Sequence, residues 1–230
     1  MSVHPLDFPA WSALTGRQAH LALIEGAARR YAPAFGVFAG VEDKCAGSLA
    51  DLRALVAAHG DVALLETEPP TNVAGLAAVS QDLGVQMVAE SLTARRRLEV
   101  SMVRLTDQDG PEMLALAALT EPGPFFERTH ELGDFFGVKI DGRLVAMAGE
   151  RMKPDGFTEV SGVCTHPDHR GQGYAGALMH LVSSRILDRG ERPFLHAYAS
   201  NRLAISLYEK LGYRLRREIL MTRLSYDEPA

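Results

Sequence analysis

Residues 166–179, HPDHRGQGYAGALM, set an arginine, two histidines and three glycines at the mouth of an apolar run. Glycine in a helix interior costs about 1 kcal/mol against alanine, so this clustering calls for a reason. The first N–H groups of a helix lack partners inside it, and the macrodipole adds partial positive charge there. Such an end holds phosphate well. Gly171 and Gly173 let an anion reach the backbone without meeting a Cβ, and Arg170 supplies a bidentate, charge-assisted contact. The loop has neither the lysine and Ser/Thr of a P-loop nor the full spacing of the dinucleotide fingerprint. A plain strand-to-helix turn is the other reading. Leu178, Leu181, Val182 and Ile186 then form a helical apolar stripe.

The elements that must hold this loop alternate along the chain. SLADLRALVAAHG reads as a helix, with Ser48 and Asp51 in capping-box spacing and Gly60 as its stop. FGVFAG, DVALLE and VQMVAE read as strands, and EPPTN as a loop. The arginine run in SLTARRRL reads as solvated surface. LEVSMVRL alternates as a strand does, and DQDGPEMLALAAL opens acidic with Pro111 before a helical run. FFGVKI and RLVAMAGERM flank Asp141 and Gly142, a pair suited to a tight hairpin turn. FTEVSGVCTH is a further strand, followed by the glycine loop and a helix to about Leu187. RPFLHAYAS, NRLAISLYEKLG and YRLRREILMTRL continue as strand, helix and a long strand or strand pair. The expected fold is mixed α/β, a mostly antiparallel sheet flanked by helices.

The 230 residues, 47% hydrophobic and 23% charged with net charge −5, suit a soluble globular chain and not a general nucleic-acid binder. No apolar run reaches the roughly 20 residues of a membrane helix. MSVHPLDFPAW lacks the basic and apolar regions of a signal peptide, so a cytoplasmic protein is expected. Cys45 and Cys164 read as free thiols.

VCTHPDHRGQGYAGALM resembles the acyl-coenzyme-A motif of the GNAT acetyltransferase superfamily, and the whole chain resembles its FR47-like branch. Arg170, Gly171, Gln172, Gly173, Tyr174 and Ala175 match its Arg/Gln-x-x-Gly-x-Gly/Ala pattern. Val163 to Pro167 match the strand end before it, with Thr165 where valine is commoner. ASNRLAISLYEKLGYR is similar to the second signature, with Asn201 and Tyr208 at its spacing. The likeness divides the chain into an N-terminal α/β region, 1–97, similar to a degenerate copy of the fold, and a GNAT domain, 98–230.

The resemblance implies an N-acetyltransferase that moves an acetyl group from acetyl-CoA to a primary amine by direct attack, with no metal and an acceptor the sequence does not name. The charge balance and the lack of a long apolar run lead us to expect no nucleic-acid or membrane partner, and the oligomeric state stays open. The pantetheine arm would pair with Val163, Cys164 and Thr165, and the pyrophosphate would sit on residues 170–176, Gly176 included. A backbone N–H near Cys164 or Thr165 would polarise the thioester carbonyl. Tyr208 would protonate the leaving thiolate, and Asn201 would contact the coenzyme while capping its helix. His196 is the candidate base, with Glu159 its rival and Glu150 a weaker third. EPGPFFERTHELG would wall the acceptor side, and the N-terminal third would supply no residue to the chemistry. His166, Asp168 and His169 do not suggest a metal, because the loop has its own role. Cys164 reads as a small strand residue, not a nucleophile. The alternative is an acyl-CoA sensor or docking module without turnover.

Overall fold

The computed structural model describes residues 4–68, 73, 75–94 and 98–227. The arginine run at 95–97 and most of the EPPTN loop lie outside them. In chain order the elements are α1 (Pro9–Thr15), β1 (Ala22–Glu25), β2 (Ala28–Tyr31), β3 (Ala39–Val41), α2 (Ala46–His59), β4 (Val62–Glu66) and β5 (Leu76–Val88). There follow β6 (Met102–Arg104), α3 (Gly110–Thr120), β7 (Phe135–Ile140), β8 (Arg143–Glu150), β9 (Phe157–Thr165), α4 (Tyr174–Asp188), β10 (Arg192–Tyr198), α5 (Arg202–Leu211) and β11 (Arg214–Tyr226).

β1, β2 and β3 form a small sheet, and the rest form an eight-stranded sheet in the order β4-β11-β5-β10-β9-β8-β7-β6. β9 and β10 run parallel, because the 15-residue α4 carries the chain back across the sheet between them. Every other strand ladder among the described residues is antiparallel. β5 precedes residue 97, yet it lies between β10 and β11, so the two halves of the chain interleave in one sheet.

The two faces of β10 separate two cores. Leu195 packs with Leu178, Val182 and Ile186 of α4. Phe194 packs on the opposite face with Phe38, Leu65 and Ile219. This alternation is the period of two that any strand imposes, and it decides later which residues meet across the sheet.

Local chemistry explains where the elements start and stop. Asp141 and Gly142 take φ of 49° and 78°, the turn expected between β7 and β8. Gly60 ends α2 at φ 81°. The start of α2 differs from the capping box expected at Ser48 and Asp51. Cys45 is the N-cap, its sulfur accepting the Ser48 N–H, while the Asp51 carboxylate accepts the Ala27 N–H in the β1–β2 turn. A tertiary partner thus claimed the carboxylate that spacing alone assigned to the helix. No helix among the described residues is long and apolar enough to cross a membrane.

Candidate active site

β9 and β10 pair only through Phe157 with Arg192, Thr158 with Pro193, and Glu159 with Phe194. Beyond Glu159 they part, and the β9 edge there has no β10 ladder. On its other side the register with β8 steps from Met147–Cys164 to Gly149–Ser161, which places one extra residue on β9. Gly162, at φ 62°, lets the backbone bend at that bulge. A cavity of about 740 Å³ fills the gap. Ala197 and Tyr208 touch it from the α4–α5 face, and Phe38, Leu65 and His196 from the opposite face. The cavity therefore passes through the sheet.

One end of the cavity is the glycine loop. Gly171 has φ 77° with nothing within 4 Å of where a Cβ would stand. Gly173 is the N-cap of α4 at φ 83°, and the first bond of that helix runs from the Ala177 N–H to its carbonyl. The N–H groups of Tyr174, Ala175 and Gly176 thus have no acceptor inside the helix. Arg170 is exposed, and its Nε donates to the Thr165 carbonyl at 3.4 Å. Gln172 does not line the cavity; its carbonyl accepts from the Tyr174 hydroxyl at 2.6 Å. The Thr165 Oγ1 is buried without a partner among the described residues, at the end of the open β9 edge. An open backbone cradle and an orphaned hydroxyl fit a bound phosphate and its polar arm.

The second motif stands beside the gap. Asn201 caps α5, its Oδ1 accepting the Ala204 N–H at 3.2 Å, and also lines the cavity. Tyr208 packs against the core with its ring 6.4 Å from that of Tyr213, and burial pushes its phenol up to about 12. Burial likewise pushes the Cys164 thiol up to about 11, so it stays protonated and is no nucleophile at neutral pH.

The three base candidates occupy different networks. Glu150 is held by Arg189 at 2.7 Å and Lys153 at 2.9 Å, away from the cavity. Glu159 and His196, rivals in the sequence, are brought together: His196 Nδ1 lies 2.7 Å from Glu159 Oε1. Glu159 is fully buried, which works against its charge. The Arg151 guanidinium, bound to both its oxygens at 2.8 Å, more than offsets that and holds the carboxyl at about 2. On the other side of His196, Nε2 lies 3.0 Å from the side-chain nitrogen of Gln86.

The orientation of the Gln86 amide is forced. Arg216, which can only donate, meets its oxygen at 2.8 Å, and the Leu6 carbonyl, which can only accept, meets its nitrogen at 2.9 Å. The amide therefore donates to His196 Nε2, and the imidazole proton sits on Nδ1, facing Glu159. Arg216 occupies the step between Leu215 and Arg217 in the β11–β5 register, where an irregularity aims it at Gln86; Asp7 balances its charge at 2.6 Å.

The N-terminal third corrects the expectation that it contributes nothing here. Phe38, Leu65 and Gly84 line the cavity, and Gln86 binds the candidate base. The polar residue inside the apolar run VQMVAE was the one available signal, since a buried amide must find partners. From EPGPFFERTHELG, residues 121–124 do wall the cavity, while Phe125 turns edge-on to Phe135. His166 accepts the Asp168 N–H within its own turn.

Comparison with known proteins agrees with this geometry. The FR47-like protein family model matches residues 137–221. The crystal structure of a GNAT-family protein from Novosphingobium aromaticivorans is 43% identical, covers 98% of this chain and 100% of its own, and superposes with TM-score 0.91. A GCN5-related N-acetyltransferase from Kribbella flavida shares the fold at 18% identity and TM-score 0.62, with 96% of each chain covered. Acetyltransferase SG1711 of Sodalis glossinidius is 37% identical over 57 residues, 24% of this chain and 40% of that protein's length. On the strength of the full-length relative, the chain belongs to the GNAT family, with its FR47-like region at residues 137–221.

Proposed function

We propose that the protein is an N-acyltransferase that moves an acetyl group from acetyl-CoA to a primary amine by direct attack. The observation that carries this reading is the single cavity that runs from the anion cradle of α4, through the β9–β10 gap, to a chamber on the far face of the sheet. Donor and acceptor can then meet from opposite faces without sharing an entrance.

Acetyl-CoA supplies the activated thioester. The loop at 170–176 holds the pyrophosphate with backbone N–H groups and Arg170. The open edge of β9 at Val163, Cys164 and Thr165 pairs with the polar arm, and a backbone N–H there faces the charge that develops on the carbonyl oxygen. Tyr208 holds the proton for the departing sulfur. Its phenol at about 12 is an unfavourable donor to a thiolate in water. The same desolvation that lifts the Cys164 thiol raises the basicity of a thiolate leaving along this wall, which narrows the gap.

His196 and Glu159 are proposed as a positioning pair. The only basic lone pair of His196 is occupied by Gln86, and the Glu159 carboxylate is saturated by Arg151 and His196. The incoming ammonium then gives its proton to water in the cavity. Free-thiol release from acetyl-CoA with a panel of amines tests the reading; coenzyme binding with no release on any amine would overturn it in favour of a sensor.

A further inference from the structure

We infer that the far chamber selects acceptors whose amine is carried on an uncharged, apolar body; this rests on the acyltransferase reading above. Phe38, Leu65, Ile219 and Met221 line that chamber, and the first three are 2%, 5% and 4% exposed. They come from the loop before β3, from β4 and from β11, so the apolar surface is built by elements that have no part in the coenzyme cradle. Gly84 stands among them on β5, opposite Ile219 and Tyr198, where a Cβ would come within 3.1 Å of the Ala197 carbonyl oxygen and 3.4 Å of Ile219.

The chamber does contain charge, but none of it is available. The Arg151 guanidinium lies 4.5 Å from the Phe38 ring centroid and is spent on Glu159 through both oxygens. The His196 Nδ1–H donates to Glu159, and its Nε2 accepts from the Gln86 amide. An acceptor carboxylate or phosphate entering here would lose its water and meet only the neutral hydroxyls of Ser161 and Tyr198, with no free cation unless a buried ion pair breaks. That exchange is unfavourable. A second ammonium would meet no open carboxylate inside among the described residues; Glu121 is exposed, out on the loop that follows α3, and Asp82 is exposed outside the lining, opposite Met221. Apolar surface against apolar surface is the remaining source of affinity.

The experiment compares propylamine, hexylamine and octylamine with aminohexanoate and diaminohexane as acceptors, read by thiol release. In parallel, the matching N-alkylacetamides are tested for thermal stabilisation of the protein with coenzyme A bound. Turnover efficiency is expected to rise by about fourfold per added methylene while the chain stays in the chamber. The terminal carboxylate or ammonium is expected to abolish that gain. Met221→Gln, which keeps length and adds polarity, is expected to flatten the chain-length dependence in both readouts while coenzyme binding persists. Equal use of charged and uncharged acceptors, or no dependence on chain length in either readout, overturns the inference. Chain-length-dependent stabilisation by the acetamides with no turnover supports the chamber and overturns acyl transfer instead.

Discussion

The amide of Gln86 on β5 and the imidazole of His196 on β10 meet at 3.0 Å across an antiparallel pair of strands, in directly opposed register. Because Arg216 pins the amide oxygen, this contact fixes the imidazole as the Nδ1–H tautomer. Nitrogen NMR is therefore expected to show the neutral imidazole with its proton on Nδ1 and not on Nε2. Gln86→Glu replaces a donor with a carboxylate between Arg216 and His196. The Nε2 resonance should then move, because that ring nitrogen loses the donor it faces. An unchanged ring spectrum in that variant would remove the tautomer lock.

Glu159 and Arg151 make a second, separable prediction. The carboxyl sits at about 2, below its ordinary 4.5, so the folded state prefers the ionised form. The stabilisation it contributes is complete above pH 4.5 and is lost as pH falls toward 2. Glu159→Gln leaves Arg151 buried without its counter-charge and should cost about 3–5 kcal/mol at neutral pH. It should also flatten the acid end of the stability profile. Urea unfolding over that pH range checks both, and a variant as stable and as acid-sensitive as the parent would count against this account.

The degree to which this site could be read in advance follows from where its information is stored. The glycine loop, Asn201 and Tyr208 lie in two short contiguous motifs whose geometry is local, a helix mouth and a helix face. Such features survive in a one-dimensional pattern. The hairpin at Asp141 and Gly142 was legible for the same reason: positive φ is a property of the residues themselves. Arg151, Gln86 and Arg216 were not legible. Gln86 and Arg216 meet only because β5 inserts between β10 and β11, a pairing made across more than a hundred residues of chain, while Arg151 reaches Glu159 across the β8–β9 connection. Glu159 and His196 appeared as alternatives because nothing local says that they touch. The capping box at Ser48 and Asp51 failed because Asp51 found a partner at Ala27.

The coenzyme end is tested at Gly171, where an added side chain meets nothing within 4 Å. Gly171→Asp sets a negative charge beside the cradle in open space, so the folded core is left alone, although the φ of 77° makes the turn less comfortable. Acetyl-CoA at 100-fold over its dissociation constant should stabilise the parent by about 2.7 kcal/mol. The variant should lose most of that stabilisation. A full ligand-induced shift in the variant would move the pyrophosphate away from this loop.

Tyr208 carries the last prediction. Tyr208→Phe removes only the hydroxyl and keeps the ring that packs beside Tyr213, so stability and acetyl-CoA affinity should hold. The lost interaction matters as sulfur departs, hence turnover should fall with little change in coenzyme binding. General acid catalysis is worth about 10²–10⁴-fold, and a drop of that order is expected. The sign of the pH effect is also set. Burial raises the phenol to about 12, so the proton-bearing form persists through the neutral and mildly alkaline range and is lost only as pH nears that value. The parent should therefore show no alkaline decline from this group below about pH 11, one unit under that value, where about nine-tenths of the phenol is still protonated. An alkaline limb near pH 9 that disappears in Tyr208→Phe would mean that the phenol is far less desolvated than its packing requires. A variant that turns over at the parent rate would take the proton-donor role away from Tyr208 altogether.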